Sequence, residues 1–171
     1  AAALSMTGIS FAQAPAKGRV ATVTVHGRAL EGNLSGESPD RTFSIYLPPS
    51  YDREHSRRYP VVILLHGYSL TNAYWVGGKS GVAGVPGIDV PGAMDRDVAS
   101  GKAHEMILVM PDGNSIYDGS MYSSSATSGD WESFIAEDLV GYVDSHYRTI
   151  AERAARGLAG HSMGGYGTWR I

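Results

Sequence analysis

Two kinds of hydrophobic pattern divide this chain. RVATVTVHGRAL, starting at Arg19, alternates apolar residues with small or polar ones, and RTFSIYLPPSY, Arg41 to Tyr51, does so again after the turn-rich GNLSGESPD. A period of two buries one face of a strand and wets the other, so these segments predict an antiparallel pair. YPVVILLHG (Tyr59 to Gly67) and MILVMPDG (Met106 to Gly113) are instead unbroken apolar runs. Such runs suit strands covered on both faces, as in a parallel sheet between helical layers.

Helical spacing is clearest after Asp130, where Trp131, Phe134, Ile135, Leu139, Tyr142 and Val143 fall on one face. Asp130 is placed to cap that helix, and Glu132 sits in the first turn, where the helix dipole favours negative charge. A weaker helix is expected over Gly92 to Ser100, inside the crossover between the two buried strands. ARGLAGHS, Ala155 to Ser162, predicts a short strand of small residues. Strand, crossover, strand, helix and strand in this order predict an α/β architecture with parallel pairing and helices on the faces.

Composition narrows the function. A chain of 171 residues with 43% hydrophobic content has the size of one domain. Its 14 basic and 17 acidic residues leave a net charge of −3, so no field of one sign points to nucleic acid or an anionic membrane as partner. The absence of cysteine excludes disulfides, thiolate metal sites and a cysteine nucleophile. No apolar run approaches the roughly 18 residues that would span a bilayer. Neither a phosphate loop nor a dinucleotide fingerprint occurs, and Asp112, Asn114 and Asp118 lack the ligand order of a calcium loop, so no metal or cofactor is expected. Ala12, Gln13 and Ala14 have the small-x-small form of an export cleavage site. Residues 1–14 are expected to be the remainder of a signal peptide, and the protein to be secreted or periplasmic.

The candidate chemistry lies in GLAGHSMGGYGTWRI, Gly157 to Ile171. Gly160, His161, Ser162, Met163 and Gly164 form GxSxG between an expected strand and an expected helix. Glycines at both ends let the backbone turn sharply enough to hold the Ser162 hydroxyl clear of the sheet as a nucleophile. The helix start aims free amides at the same point, and that of Met163 can stabilise an oxyanion. His66, Gly67 and Tyr68 follow a buried strand at the sheet edge where ligands bind, which makes the Tyr68 amide a second donor. His66 and His161 are read as residues that shape these turns. Tyr74, Trp75, Tyr117 and Tyr122 lie in the two long loops beyond the buried strands and are candidates for a substrate rim.

Together PVVILLHGYS, VMPDGN, DWESFIAEDL and GLAGHSMGGYGTWR resemble the α/β-hydrolase fold, and within it the esterase group of feruloyl esterases, S-formylglutathione hydrolases and mycolyltransferases. The resemblance covers roughly Arg41 to Ile171. It implies a three-layer sandwich represented only by its N-terminal strands through the nucleophile elbow, with residues 15–171 forming the N-terminal part of one domain. It also implies a serine carboxylic-ester hydrolase working through an acyl-serine, on feruloyl or acetyl esters of polysaccharide or a small-molecule ester.

Family order places the triad acid and histidine after the serine, yet the nine residues after Ser162 contain neither. The chain is therefore expected to be a fragment whose activity is impaired without the C-terminal part of its domain. An acyltransferase of the same fold and a non-catalytic binding module remain open readings.

Overall fold

The computed structural model describes residues 16–78, 80 and 82–171. The expected signal-peptide remainder, residues 1–14, lies outside them.

The alternating segments form β1 (Arg19–His26) and β2 (Asp40–Leu47), paired antiparallel with Val23 opposite Phe43. β1 stops short of Leu30, and Arg28–Leu30 forms a 3₁₀ turn that buries Leu30. At the break, a β-carbon on Gly27 would stand 2.5 Å from the Phe134 ring, so the backbone itself packs against that side chain.

The unbroken runs become β3 (Val61–Leu65) and β4 (Ile107–Pro111), which pair in parallel. β2 lies antiparallel on the far side of β4, and a further strand, Arg156–Gly160, pairs in parallel with β3. The crossover between β3 and β4 contains a 3₁₀ turn, Asn72–Trp75, and α1 (Val90–Ala99). The Asp89 carboxylate caps α1 by accepting the Gly92 amide at 2.9 Å, which starts the helix slightly earlier than expected.

Successive residues of β4 serve opposite layers. Ile107 and Val109 join the core under the helix that begins at Trp131, while Leu108 and Met110 pack with Leu70, Tyr74 and Trp75 on the α1 side. With both faces covered, every position favours an apolar side chain, and each one removed from water contributes about 1.5–3 kcal/mol.

A small ribbon that sequence did not foretell, β5 (Ser124–Ser125) with β6 (Gly129–Asp130), leads into that helix. The helix runs as α2 (Trp131–Ser133), a π turn (Phe134–Leu139) and α3 (Val140–His146). Asp130 caps it as expected, accepting from the Ser133 amide at 3.1 Å and hydroxyl at 2.8 Å. Trp131, Phe134, Ile135, Leu139 and Val143 are buried against the sheet. Numbered in chain order, Arg156–Gly160 is β7, and the sheet of described residues reads β1-β2-β4-β3-β7. No described helix is long and apolar enough to cross a membrane.

Candidate active site

Parallel pairing sets Leu65 of β3 opposite Gly160 of β7, so the C-terminal tips of both strands emerge side by side. The ladder continues one step, with the His161 amide donating to the Leu65 carbonyl at 3.1 Å. The chain then reverses. Ser162 has φ 53° and ψ −116°, and α4 (Met163–Arg170) begins at the next residue.

A positive φ at a residue with a side chain costs about 1–3 kcal/mol and persists only where the surroundings impose it. Here they do. A β-carbon on Gly164 would collide with the Leu65 carbonyl, and one on Gly160 with the backbone of Gly164. The absence of those two side chains lets α4 press onto the β3–β7 junction. Ser162 is left exposed, and its side chain makes no capping bond.

Gly67 closes on the same point from the tip of β3. A β-carbon there would lie 2.9 Å from His161 Nδ1 and 3.3 Å from Ser162 Cβ. The Gly67–Tyr68 peptide therefore runs beside the serine. Among the described residues no acceptor takes the amide proton of Tyr68 or of Met163. The exposed Ser162 thus stands at a helix N-terminus with the Gly67–Tyr68 peptide close by, and free amides at such a point can stabilise negative charge on an oxygen.

His66 is fully buried between the tips of β3 and β4. Its Nε2 accepts the Gly113 amide at 2.8 Å, and its Nδ1 stands 2.8 Å from the Gly67 carbonyl oxygen. With both nitrogens engaged by backbone, this ring is not free to accept a proton from Ser162. His161 is exposed, with its ring 6.0 Å from that of Tyr74. Asp112 Oδ1 lies 3.5 Å from His66 Nε2 and accepts the Asn114 amide at 3.0 Å. Burial disfavours the ionised Asp112 carboxyl, whereas the Asn114 amide and the Arg41 charge favour it.

The loop after β4 braces the loop after β3. Ser69, at φ 61°, donates its amide to the Asp118 carbonyl at 2.6 Å, and the Tyr68 hydroxyl donates to the Tyr117 carbonyl at 2.9 Å. Gly119 fits between them, because a β-carbon there would stand 2.6 Å from Met163 Sδ and 2.8 Å from the Tyr68 ring. Sequence reasoning did not find what fixes this bracing loop. Glu37, nearly buried, accepts the Ile116 amide at 2.6 Å and pairs with Arg41 at 3.5 Å. Arg41 in turn donates to the Asn114 carbonyl and stacks over Trp131. The contacts to Asn114, Ile116 and Trp131 join residues more than 70 positions apart, and no local pattern signals them.

The rim differs from expectation. Tyr117 is half exposed, as is Tyr68, but Tyr122 is fully buried and Tyr74 and Trp75 nearly so. Tyr122 fills a slot between β3, the β4 loop and α4, where Gly113 and Gly167 leave room for its ring. Its hydroxyl donates to the His66 carbonyl at 3.3 Å, and burial pushes the phenol pKa up. Tyr74 and Trp75 pack edge to face, ring centres 5.0 Å apart, in the α1-side core.

Comparison with known proteins matches this geometry to a family. A family model described as "Putative esterase" covers residues 38–168. An endo-1,4-beta-xylanase/feruloyl esterase of Xylanibacter ruminicola is 31% identical over 151 residues, which are 84% of this chain and 19% of that protein. An esterase of Mycobacterium tuberculosis is 32% identical over 128 residues, 72% of this chain and 24% of its own length. A solved ferulic acid esterase superposes with a TM-score of 0.72 at 30% identity, covering 90% of this chain and 54% of that one. The chain thus spans about a fifth to a quarter of these curated relatives and about half of that solved structure. The family model covers most of the chain and the superposed structure shares its fold: this chain belongs to that esterase family, with the α/β-hydrolase fold.

Proposed function

We propose that the chain carries the nucleophile and oxyanion hole of a serine carboxylic-ester hydrolase. The observation behind this reading is the exposed Ser162 at positive φ, next to the Met163 amide and beside the Gly67–Tyr68 peptide, neither amide having an acceptor among the described residues. In the reaction, Ser162 Oγ attacks the ester carbonyl and forms a tetrahedral centre. The Tyr68 and Met163 amides bind the oxygen as it becomes negative. Collapse of that centre expels the alcohol and leaves an acyl-serine, which water then cleaves. His161 and Gly67 line this point, and Gly160 and Gly164 allow the turn.

A proton acceptor is also needed. In this reading it is a histidine oriented by a carboxylate, both supplied from outside these 171 residues, since His66 is occupied and no side chain among the described residues bonds Ser162. The chain by itself would then hydrolyse esters slower by a factor on the order of 10⁶, the scale of histidine loss in a serine protease.

The names of the relatives support a feruloyl or related polysaccharide ester as substrate. The exposed rings of Tyr68 and Tyr117 offer it an aromatic surface at the mouth of the site. The small-x-small triplet at Ala12–Ala14 supports export of the protein.

Treatment with a fluorophosphonate probe tests the reading, using the chain alone and a longer version containing the rest of the domain. The extended protein is expected to label at Ser162, to lose labelling in Ser162→Ala, and to hydrolyse methyl ferulate. An extended protein that does not label, or that labels equally in Ser162→Ala, overturns it. Adding an alcohol acceptor and analysing products separates hydrolysis from acyl transfer.

A further inference from the structure

The peptide bond between Gly67 and Tyr68 has its carbonyl in the hands of one buried side chain. We propose that His66 is a positioning residue whose Nδ1–H fixes the Gly67 carbonyl and thereby aims the Tyr68 amide at the oxygen bound beside Ser162. The inference rests on the reading of Tyr68 as an oxyanion donor.

The protonation state follows from two distances. Gly113 N–H points at His66 Nε2 from 2.8 Å, so that nitrogen presents a lone pair and carries no proton. Nδ1 stands 2.8 Å from the Gly67 carbonyl oxygen, where two lone pairs would repel, so Nδ1 holds the proton and donates it. The other tautomer would direct Nε2–H at Asp112 Oδ1, 3.5 Å away, and would lose both shorter bonds.

Aiming follows from peptide geometry. A trans peptide is planar, with C=O and N–H pointing in opposite directions. The Gly67 oxygen takes the His66 proton and also the Leu70 amide at 3.2 Å, so it is held from the interior by two donors. The Tyr68 N–H at the other end of the same plane must then face outward, where no acceptor among the described residues meets it. Donation to the carbonyl also polarises the peptide and strengthens its N–H as a donor. The ring can act as a fixed bracket because its far nitrogen is tied to Gly113 and its own carbonyl to the Tyr122 hydroxyl.

Two conservative variants separate aiming from packing. His66→Asn keeps a donor near the Nδ1 position and nothing at Nε2, whereas His66→Gln keeps an amide near Nε2 and nothing at Nδ1. Long-range ¹⁵N–¹H spectra of the wild-type chain are expected to show a protonated Nδ1 and a bare Nε2. The Tyr68 amide resonance is expected to move in His66→Gln and to stay near its wild-type position in His66→Asn. In the labelling-competent extended protein, His66→Gln is expected to slow fluorophosphonate reaction by on the order of 10²–10³, the effect of losing one oxyanion donor. His66→Asn should retain most of the rate even where its melting temperature falls equally.

A ring protonated at Nε2 overturns the proposal, as do rates in both variants that simply follow stability. A different pattern separates it from the reading beneath it. If the tautomer and the Tyr68 shifts are as expected but wild-type extended protein does not label, the serine reading falls and the aiming by His66 stands.

Discussion

A β-carbon on Gly160 would fall inside the van der Waals surface of the Gly164 carbonyl group, so the strand and the helix of the turn meet backbone to backbone. Gly164 is equally confined, by the Leu65 carbonyl. Neither neighbour can swing aside as a side chain would. Gly160→Ala and Gly164→Ala are therefore expected to cost stability at the upper end of the about 1–3 kcal/mol typical of overpacking. The adjacent Gly165 provides the control, because the nearest atom to its added β-carbon is the Gly160 carbonyl oxygen at 3.6 Å. Gly165→Ala should be neutral, or stabilising by up to about 1 kcal/mol through helix propensity. Thermal melts of the three variants check the contrast, and a tolerated Gly164→Ala would contradict the packing described.

Ser162 makes a second prediction possible, since its strain and its chemistry reside in the same residue. At φ 53° and ψ −116° alanine suffers the same backbone conflict as serine, while glycine does not. Ser162→Ala should abolish probe labelling with little change in melting temperature. Ser162→Gly should abolish labelling too, yet melt higher than Ser162→Ala, by the equivalent of about 1 kcal/mol. Equal melting temperatures for the pair would mean that the turn is not strained.

The outline of this fold was legible in sequence because local chemistry dictates it. Unbroken apolar runs marked β3 and β4, which alternate between two cores, and Asp130 capped its helix where the pattern required. Gly67, Gly160 and Gly164 were legible as shaping residues for the same reason: a close approach of backbones admits only glycine. Tyr74, Trp75 and Tyr122 were misplaced at the rim because loop membership says nothing about burial. Whether a loop aromatic faces water depends on distant partners, and for Tyr122 these include Gly113 and Gly167, which leave space for its ring. The π turn at Phe134–Leu139 was invisible as well, since the spacing of its apolar residues also satisfies an ordinary helix.

Glu37 and Arg41 lead to a third prediction, on how the loop bearing Tyr117 is held. The carboxylate of Glu37 meets both Arg41 and the Ile116 amide, and both side chains are largely withdrawn from water. Removing one member strands the other, which in buried pairs costs about 3–5 kcal/mol. Glu37→Ala should approach that loss. Glu37→Gln should lose less, because its amide oxygen can still accept from Ile116. Denaturant titration of both variants measures the difference. Hydrogen exchange should show the Ile116 amide opening in Glu37→Ala and staying protected in Glu37→Gln.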